Sequence, residues 1–397
     1  MSMNLNEAEI QYLISCKERC EKDLVDDILP FWMEYGADCV NGGIYTCVDR
    51  DGTLMDSTKS VWFQGRWGFI AALAFLKTGQ KDYLEASLSA IEFIENHCFD
   101  SDGHMFFAVT AEGEPVQKRR YVFSECFAIM AMAEYSLASG DKTYAGKAMA
   151  LYKKLLWMMN EPGFMPPKYY FKARGHSLTM MLINVGKVIS QVCDDPLIAR
   201  QEDNSASELA KYFMNAEYKT ILETVGMNGE FIDTGIGRTI NPGHCMETGW
   251  FILDMARRKE NDPDLTGMGL QIIDWAWNWG WDEPYGGIIN FRDCKGFPCQ
   301  DYSQDMKFWW PQCEAILASL NAYLASGDKK YLEMHRKIYD YAFQAFPDKE
   351  YGEWYGYLHR DGTVAQSAKG NLFKGPFHIP RMMILASDLY SRILEQG

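Results

Sequence analysis

The stretch Leu137-Ala138-Ser139-Gly140-Asp141-Lys142-Thr143-Tyr144 decides the fold. An apolar-periodic run ends at a glycine, and a second helical run begins at once. Glycine suits the left-handed residue that closes a helix. The stretch therefore reads as the turn of a helical hairpin. It recurs as Leu76-Lys77-Thr78-Gly79-Gln80-Lys81-Asp82-Tyr83 and as Leu324-Ala325-Ser326-Gly327-Asp328-Lys329-Lys330-Tyr331. Gly79 and Gly140 are 61 residues apart, and Gly140 and Gly327 are 187 apart, about three such periods. A fixed period of this kind marks a chain built from similar units.

Between the hairpins lie Gly-rich, alternating segments that read as short strands or β-hairpins. They are Gly42-Gly43-Ile44-Tyr45 to Gly52, Asp102-Gly103-His104-Met105 to Gly113, Gly286-Gly287-Ile288-Ile289-Asn290-Phe291, and Gly352 to Gly362. The pattern predicts twelve helices, at 5–35, 62–78, 82–98, 124–139, 141–159, 175–193, 205–226, 243–259, 264–279, 310–326, 329–346 and 376–394. Those starting at 62, 124, 175, 243, 310 and 376 are apolar almost all round. Their partners carry Lys, Asp and Glu on one face. An inner and an outer ring produce that contrast. The expected fold is all-α: an (α/α)6 barrel of six helical hairpins, one domain over residues 1–397, with short β-hairpins and loops covering one end.

Composition narrows the function. The net charge of −15 argues against nucleic-acid and anionic-membrane binding. Aromatic residues make up 14% of the chain, which suits either a bulky core or a sugar-binding cleft. No run has the length of a membrane span, and Met1–Glu7 has neither a basic nor an apolar leader region. Eleven scattered cysteines without a C-x-x-C pair read as reduced thiols, so a cytoplasmic protein is expected. Gly235-Ile236-Gly237 lacks the strand-to-helix frame of a dinucleotide site.

Chemistry concentrates at the helix starts. In Asn241-Pro242-Gly243-His244-Cys245-Met246-Glu247-Thr248-Gly249-Trp250, Pro and Gly precede an apolar-periodic run. His244 falls in the first turn, and Glu247 lies one turn further on the same face. Arg66, Glu125, His176, Glu314, His378 and Arg381 stand at the starts of other inner helices. If these helices aim their N-termini at one end of the barrel, the side chains share a pocket. Capping explains acids in such positions and explains His and Arg poorly.

Two imidazoles on opposite sides of one carbon can remove a proton from one face and return it to the other, inverting a stereocentre next to a carbonyl. Glu247 and Glu314 can orient the rings, and Arg66 can stabilise the enolate oxygen. A metal held by His244, Glu247 and Glu314 is not expected, since no H-E-x-x-H, H-x-H or Cys pair occurs. Glycoside hydrolysis needs two carboxylates flanking a bond, which Glu125, Glu247 and Glu314 can supply. The paired histidines weigh against it. A non-catalytic sugar- or protein-binding module is a third reading. His97, His104, His335 and His359 read as structural or surface residues, and His176 as either rim or substrate contact. Trp62, Trp309 and Trp310 are either core or platforms for a sugar ring.

Four motifs carry a resemblance over essentially the whole chain: Trp62-x-Gln64-x-Arg66, Asn241-Pro242-Gly243-His244-x-x-Glu247, Lys307-x-Trp309-Trp310-Pro311-Gln312-x-Glu314 and Lys374-Gly375-Pro376-Phe377-His378-x-Pro380-Arg381. The chain resembles the N-acylglucosamine 2-epimerase family. That likeness implies an (α/α)6 barrel interconverting N-acetylglucosamine and N-acetylmannosamine at C2 through an enediolate. By the same likeness His244 and His378 are the acid/base pair, with Arg66, Glu247 and Glu314 as further catalytic residues. Substrate contacts are expected from Trp62, Gln64, Glu125, His176, Lys307, Trp309, Trp310, Gln312, Phe377 and Arg381. Cellobiose 2-epimerases and aldose–ketose isomerases share the barrel and remain alternatives. The third inner helix, from His176-Ser177-Leu178-Thr179, and Phe377-His378-Ile379-Pro380-Arg381 look nearer the N-acyl sugar enzymes. The family implies no required cofactor, ATP as an activator that is not consumed, and a homodimer.

Overall fold

Gly79, Gly140 and Gly327 adopt φ of +73°, +78° and +68°, and each donates its N–H to the carbonyl four residues back. The next helix starts within two residues. Asp141 caps one by accepting from Thr143 N, and Asp328 caps another by accepting from Lys330 N. The computed structural model describes residues 4–119, 121–165 and 171–397.

Five hairpins are contiguous in sequence. They pair Val61–Thr78 with Lys81–His97, Phe123–Ser139 with Lys142–Asn160, His176–Ile189 with Pro196–Glu208, Pro242–Arg258 with Pro263–Gly280, and Trp309–Ser326 with Lys329–Ala345. The sixth is made from the two ends of the chain: His378–Gln396 packs on Glu7–Asp23, which runs on through a π-turn at Leu24–Ile28 into Leu29–Tyr35. The first member of each sequential hairpin, together with His378–Gln396, forms the inner ring. Each inner helix packs on the next, and the sixth returns to the first. The fold is an (α/α)6 barrel. Inner helices such as Phe123–Ser139 are buried on nearly every face, whereas outer ones such as Lys329–Ala345 bury one stripe.

One helix differs from expectation. The segment expected at 205–226 is helical over Pro196–Glu208, with a π-turn through Leu209–Phe213. Asp195 accepts from Leu197 N and Pro196 occupies the first turn, a strong start signal. Beyond it lie short strands at Met214-Asn215, Thr220-Ile221 and Thr224–Gly226. The last of these pairs with Ala173–Gly175, directly before the third inner helix.

Small antiparallel sheets tie the inner-helix starts to their neighbours. Lys59-Ser60, Ala108-Val109 and Pro115–Gln117 form one, and Lys307-Phe308, Tyr357-Leu358 and Val364–Gln366 form another. Side chains clamp the helices onto the turns. Gln64 accepts from Ile44 N at 2.8 Å and donates to Ile44 O at 2.9 Å. Gln312 repeats this on Ile288 at 2.7 and 2.9 Å. Glu125 accepts from Met105 N at 2.7 Å and meets His104 Nδ1 at 2.6 Å. Lys307 pairs with Asp282 at 2.9 Å and bonds the Gly286 carbonyl. No helix among the described residues is long and apolar enough to cross a membrane.

Candidate active site

The six inner helices start around one cavity of about 300 Å³, and each contributes to its wall. Trp62 and Arg66 come from the first, Phe123 and Phe127 from the second, and Ser177, Met180 and Met181 from the third. His244 and Glu247 come from the fourth, Trp309 and Trp310 from the fifth, and His378, with Phe377 just before it, from the sixth. Among the described residues the wall is mostly aromatic and sulfur, and its ionic and imidazole groups are Arg66, Glu247, His244 and His378.

His244 sits where a helix cap holds it: Asn241 Oδ1 accepts from His244 N at 3.2 Å. Gly243 beside it lets Trp310 close in, since a Cβ there would lie 2.5 Å from the indole. Trp310 stands between the histidines, its ring centroid 5.2 Å from that of His244 and 5.8 Å from that of His378. Both imidazoles thus border the same space.

Each ring is backed by a carboxylate through Nδ1. His378 Nδ1 meets Glu314 Oε1 at 2.7 Å, and His244 Nδ1 meets Glu223 Oε1 at 3.0 Å. Neither Nε2 has a protein partner among the described residues. The surroundings push the two rings apart in charge. Burial favours neutral His244, but Glu223, by charge and hydrogen bond, and then Glu247 and Glu314 outweigh it and raise its pKa. Burial, reinforced by the Arg381 and Arg66 guanidiniums, holds His378 well below the ordinary imidazole range. One ring is biased to carry a proton and the other to accept one, the arrangement that assigns an acid and a base.

Behind His378, Arg381 Nη2 donates to Glu314 Oε1 at 2.6 Å and to Glu247 Oε1 at 2.7 Å. Trp250 Nε1 donates to Glu314 Oε2 at 2.9 Å. The Arg66 guanidinium lies over Phe127 at 4.2 Å and Phe377 at 4.7 Å, with no ion pair among the described residues. Burial, with Arg381 nearby, pulls its pKa down to about 9, so it stays charged at neutral pH.

Several expectations need correcting. Gln64, Glu125, Lys307 and Gln312 are fully buried and are spent clamping the hairpin turns; none lines the cavity. Glu247, expected to orient His244, instead pairs with Arg381. His176 is buried behind His244, bonded to Thr248 Oγ1 at 2.9 Å and to Glu223 Oε1 at 3.3 Å. Arg381 braces the two carboxylates without reaching the cavity wall. Glu223 was missed, because the segment holding it was read as an outer helix. The helix starts earlier, at Pro196, and its π-turn ends at Phe213, so Glu223 lies in a loop.

Two trios bring ligand atoms within 4.8 Å of one another: His176, Glu223 and His244, and Glu247, Glu314 and His378. In the second, the Arg381 guanidinium already bridges both carboxylates, so the centre of positive charge is filled. In the first, both imidazole Nδ1 atoms converge on one Glu223 oxygen. That geometry suits two N–H donors on a carboxylate.

A helical barrel whose inner-helix mouths bring two carboxylate-backed imidazoles to one aromatic cavity belongs to the class of barrel enzymes that move protons. The comparisons sharpen this. The profile of the N-acylglucosamine 2-epimerase (GlcNAc 2-epimerase) family matches residues 43–375, and the chain belongs to that family. It is 33% identical to N-acylglucosamine 2-epimerase of Mus musculus, over 98% of this chain and 95% of the relative. It is 26% identical to cellobiose 2-epimerase of Ruminococcus albus, over 91% of this chain and 95% of that one. A solved cellobiose 2-epimerase from Bacillus thermoamylovorans superposes with a TM-score of 0.84 at 22% identity, covering 94% of this chain and 98% of the other.

Proposed function

We propose that the protein is a sugar 2-epimerase, an isomerase that interconverts N-acetylglucosamine and N-acetylmannosamine. The observation that carries the reading is the pair of carboxylate-backed imidazoles bordering one cavity, each with its Nε2 unpartnered among the described residues. Chemistry proceeds on the open-chain sugar, whose C1 carbonyl acidifies the C2–H bond. His378 Nε2 takes the C2 proton, and the electron pair moves into C1=C2 with charge on the C1 oxygen. Arg66, charged and without an ion pair among the described residues, stabilises that oxygen in a cavity walled mainly by aromatic and methionine side chains. His244 Nε2–H then returns a proton to the opposite face of C2. Solvent exchange resets the pair, and the reverse reaction uses the rings in exchanged roles.

The carboxylates favour this reading over glycoside hydrolysis. Glu125 is buried beneath His104, and Glu247 and Glu314 share a single guanidinium nitrogen, so no pair flanks a bond. We take the N-acyl sugar over cellobiose because the N-acyl relatives are the more similar in sequence. The reading includes a small-molecule sugar partner with neither nucleic acid nor membrane, a homodimer, no required cofactor, and ATP as an unconsumed activator. All eleven cysteines are free, in keeping with a cytoplasmic setting. In deuterated water, the N-acetylmannosamine formed from N-acetylglucosamine should carry one deuterium at C2. Product without C2 label would eliminate the mechanism.

A further inference from the structure

Hydrogen bonds continue from His244 away from the cavity. Its Nδ1 meets Glu223 Oε1 at 3.0 Å, and the same oxygen meets His176 Nδ1 at 3.3 Å. His176 Nε2 meets Thr248 Oγ1 at 2.9 Å. With Nδ1–H donated to Glu223, the His176 Nε2 is an acceptor, and it takes the Thr248 hydroxyl, which also lies 2.8 Å from the His244 carbonyl. His176 is therefore held with its other nitrogen turned to Glu223. The backbone reinforces the contact, since His176 N donates to the Glu223 carbonyl at 3.1 Å. The strand Thr224–Gly226 pairs with Ala173–Gly175, which leads straight into the helix bearing His176.

The two cavity imidazoles are backed differently. Glu314 behind His378 is shared with Arg381. Glu223 has no Lys or Arg partner among the described residues; its ion-pair partners there are His244 and His176. A carboxylate neutralised by arginine mainly orients the ring it touches. A carboxylate left to imidazoles both orients its ring and attracts its proton.

We propose that Glu223 is a positioning residue for the reaction at this cavity, holding His244 with its free nitrogen toward the sugar, and that His176, clamped by Thr248, holds Glu223 in turn. This rests on the two-histidine reading above. His244 is faced by Glu223 from the loop, His176 from the third inner helix, Glu247 from its own helix, Glu314 from the fifth and His378 from the sixth, with Arg66 and Arg381 beyond. Of these, Glu223 is the acid in hydrogen-bond contact with the ring.

Glu223→Gln keeps size and an acceptor oxygen but removes the charge. Its kcat should fall roughly 10–100-fold with KM little changed, as for other carboxylates that back a working imidazole. The alkaline limb of kcat/KM should move to lower pH, because His244 then gives up its proton more readily. Thr248→Val should shift both in the same direction by less. Wild-type kcat with an unmoved limb in Glu223→Gln overturns the proposal. So does an activity loss that only tracks a lower melting temperature. Should the variant not fold, nitrogen-15 histidine spectra of the wild-type protein decide. A His244 that titrates as an unperturbed imidazole overturns the proposal, and one that keeps its proton to higher pH supports it. His244→Ala and His378→Ala separate the two levels. If both retain turnover, the epimerase reading fails; if both are dead while Glu223→Gln is normal, only the present inference fails.

Discussion

Replacing Gln312 by leucine should weaken the fold and leave the chemistry of the folded enzyme intact. Gln312 is fully buried and makes three hydrogen bonds: it accepts from Ile288 N at 2.7 Å and donates to Ile288 O at 2.9 Å and to Phe308 O at 2.8 Å. Ile288 is itself fully buried, so water cannot replace the lost partners. Orphaning a buried backbone group costs about 1–3 kcal/mol, and two groups of Ile288 are orphaned. The third bond adds about 1 kcal/mol, and leucine fills most of the volume, so the expected loss is about 3–7 kcal/mol. Even at the smaller Tm response of a chain this long, that lowers the midpoint by several degrees. Denaturant and thermal melts read the stability. Turnover measured well below the melt and divided by the folded fraction reads the chemistry. Gln64→Leu should behave alike, since Gln64 makes the same bonds to Ile44. Lost turnover per folded molecule with an unmoved melt would refute the reasoning, because it would mean that the amide reaches the sugar.

Four further outcomes follow from the same geometry. His244→Asn and His378→Asn should each lower kcat by roughly 10²–10⁴-fold, the worth of a positioned acid or base, with the melt little changed. Arg66→Met keeps the side chain's bulk among Phe127 and Phe377 but removes the charge, so kcat should fall on the order of 10²-fold, read by steady-state assay. In the pH profile of kcat/KM, His378 must be neutral and His244 protonated. The depressed pKa of His378 puts the acid limb below pH 6.5, and the raised pKa of His244 puts the alkaline limb above it. His335 is buried against Tyr390 Oη at 2.9 Å, with its pKa pushed down to about 3. As pH falls below 6.5 the unfolded chain takes up this proton first, so stability should drain away between pH 6.5 and 3, and His335→Phe should lose that component in acid melts.

The sequence was most legible where one residue type has one conformational use. The three repeat turns announced themselves because a helix that ends in a left-handed residue strongly favours glycine. The pairing of the two chain ends into the sixth hairpin was hidden, since nothing local in Glu7–Asp23 points to His378–Gln396. Glu223 was hidden by a period error. An apolar pattern running from Ser205 toward Gly226 looks helical, yet Phe213 is the last residue of the continuous turn, and strands follow. A carboxylate in such a loop has no neighbour in sequence that betrays its partner in space. Glu247 shows the converse trap. Its spacing from His244 fits a same-face pair, but Arg381 from the last helix competes with a full charge and wins.

Three of the false contacts, Gln64, Glu125 and Gln312, share one geometric cause. In an α-helix two residues separate side chains by about 200°, nearly opposite faces. At the first inner helix, Gln64 faces outward to clamp Ile44, and Arg66 faces the cavity. At the second, Glu125 clamps Met105, and Phe127 lines the wall. At the fifth, Gln312 clamps Ile288, and Glu314 turns inward to hold His378. A string such as Trp62-x-Gln64-x-Arg66 therefore joins two functions of unlike kind, a fastener and a working group, locked in register by the helix itself. The fastener fixes the rotation of the helix, and the rotation decides what the residue two places on can touch. Changing the clamp should disturb stability first, and changing its inward neighbour should disturb turnover first. That is why these three mouths of the ring can keep one architecture while the groups they present differ: a guanidinium, a phenyl ring and a carboxylate.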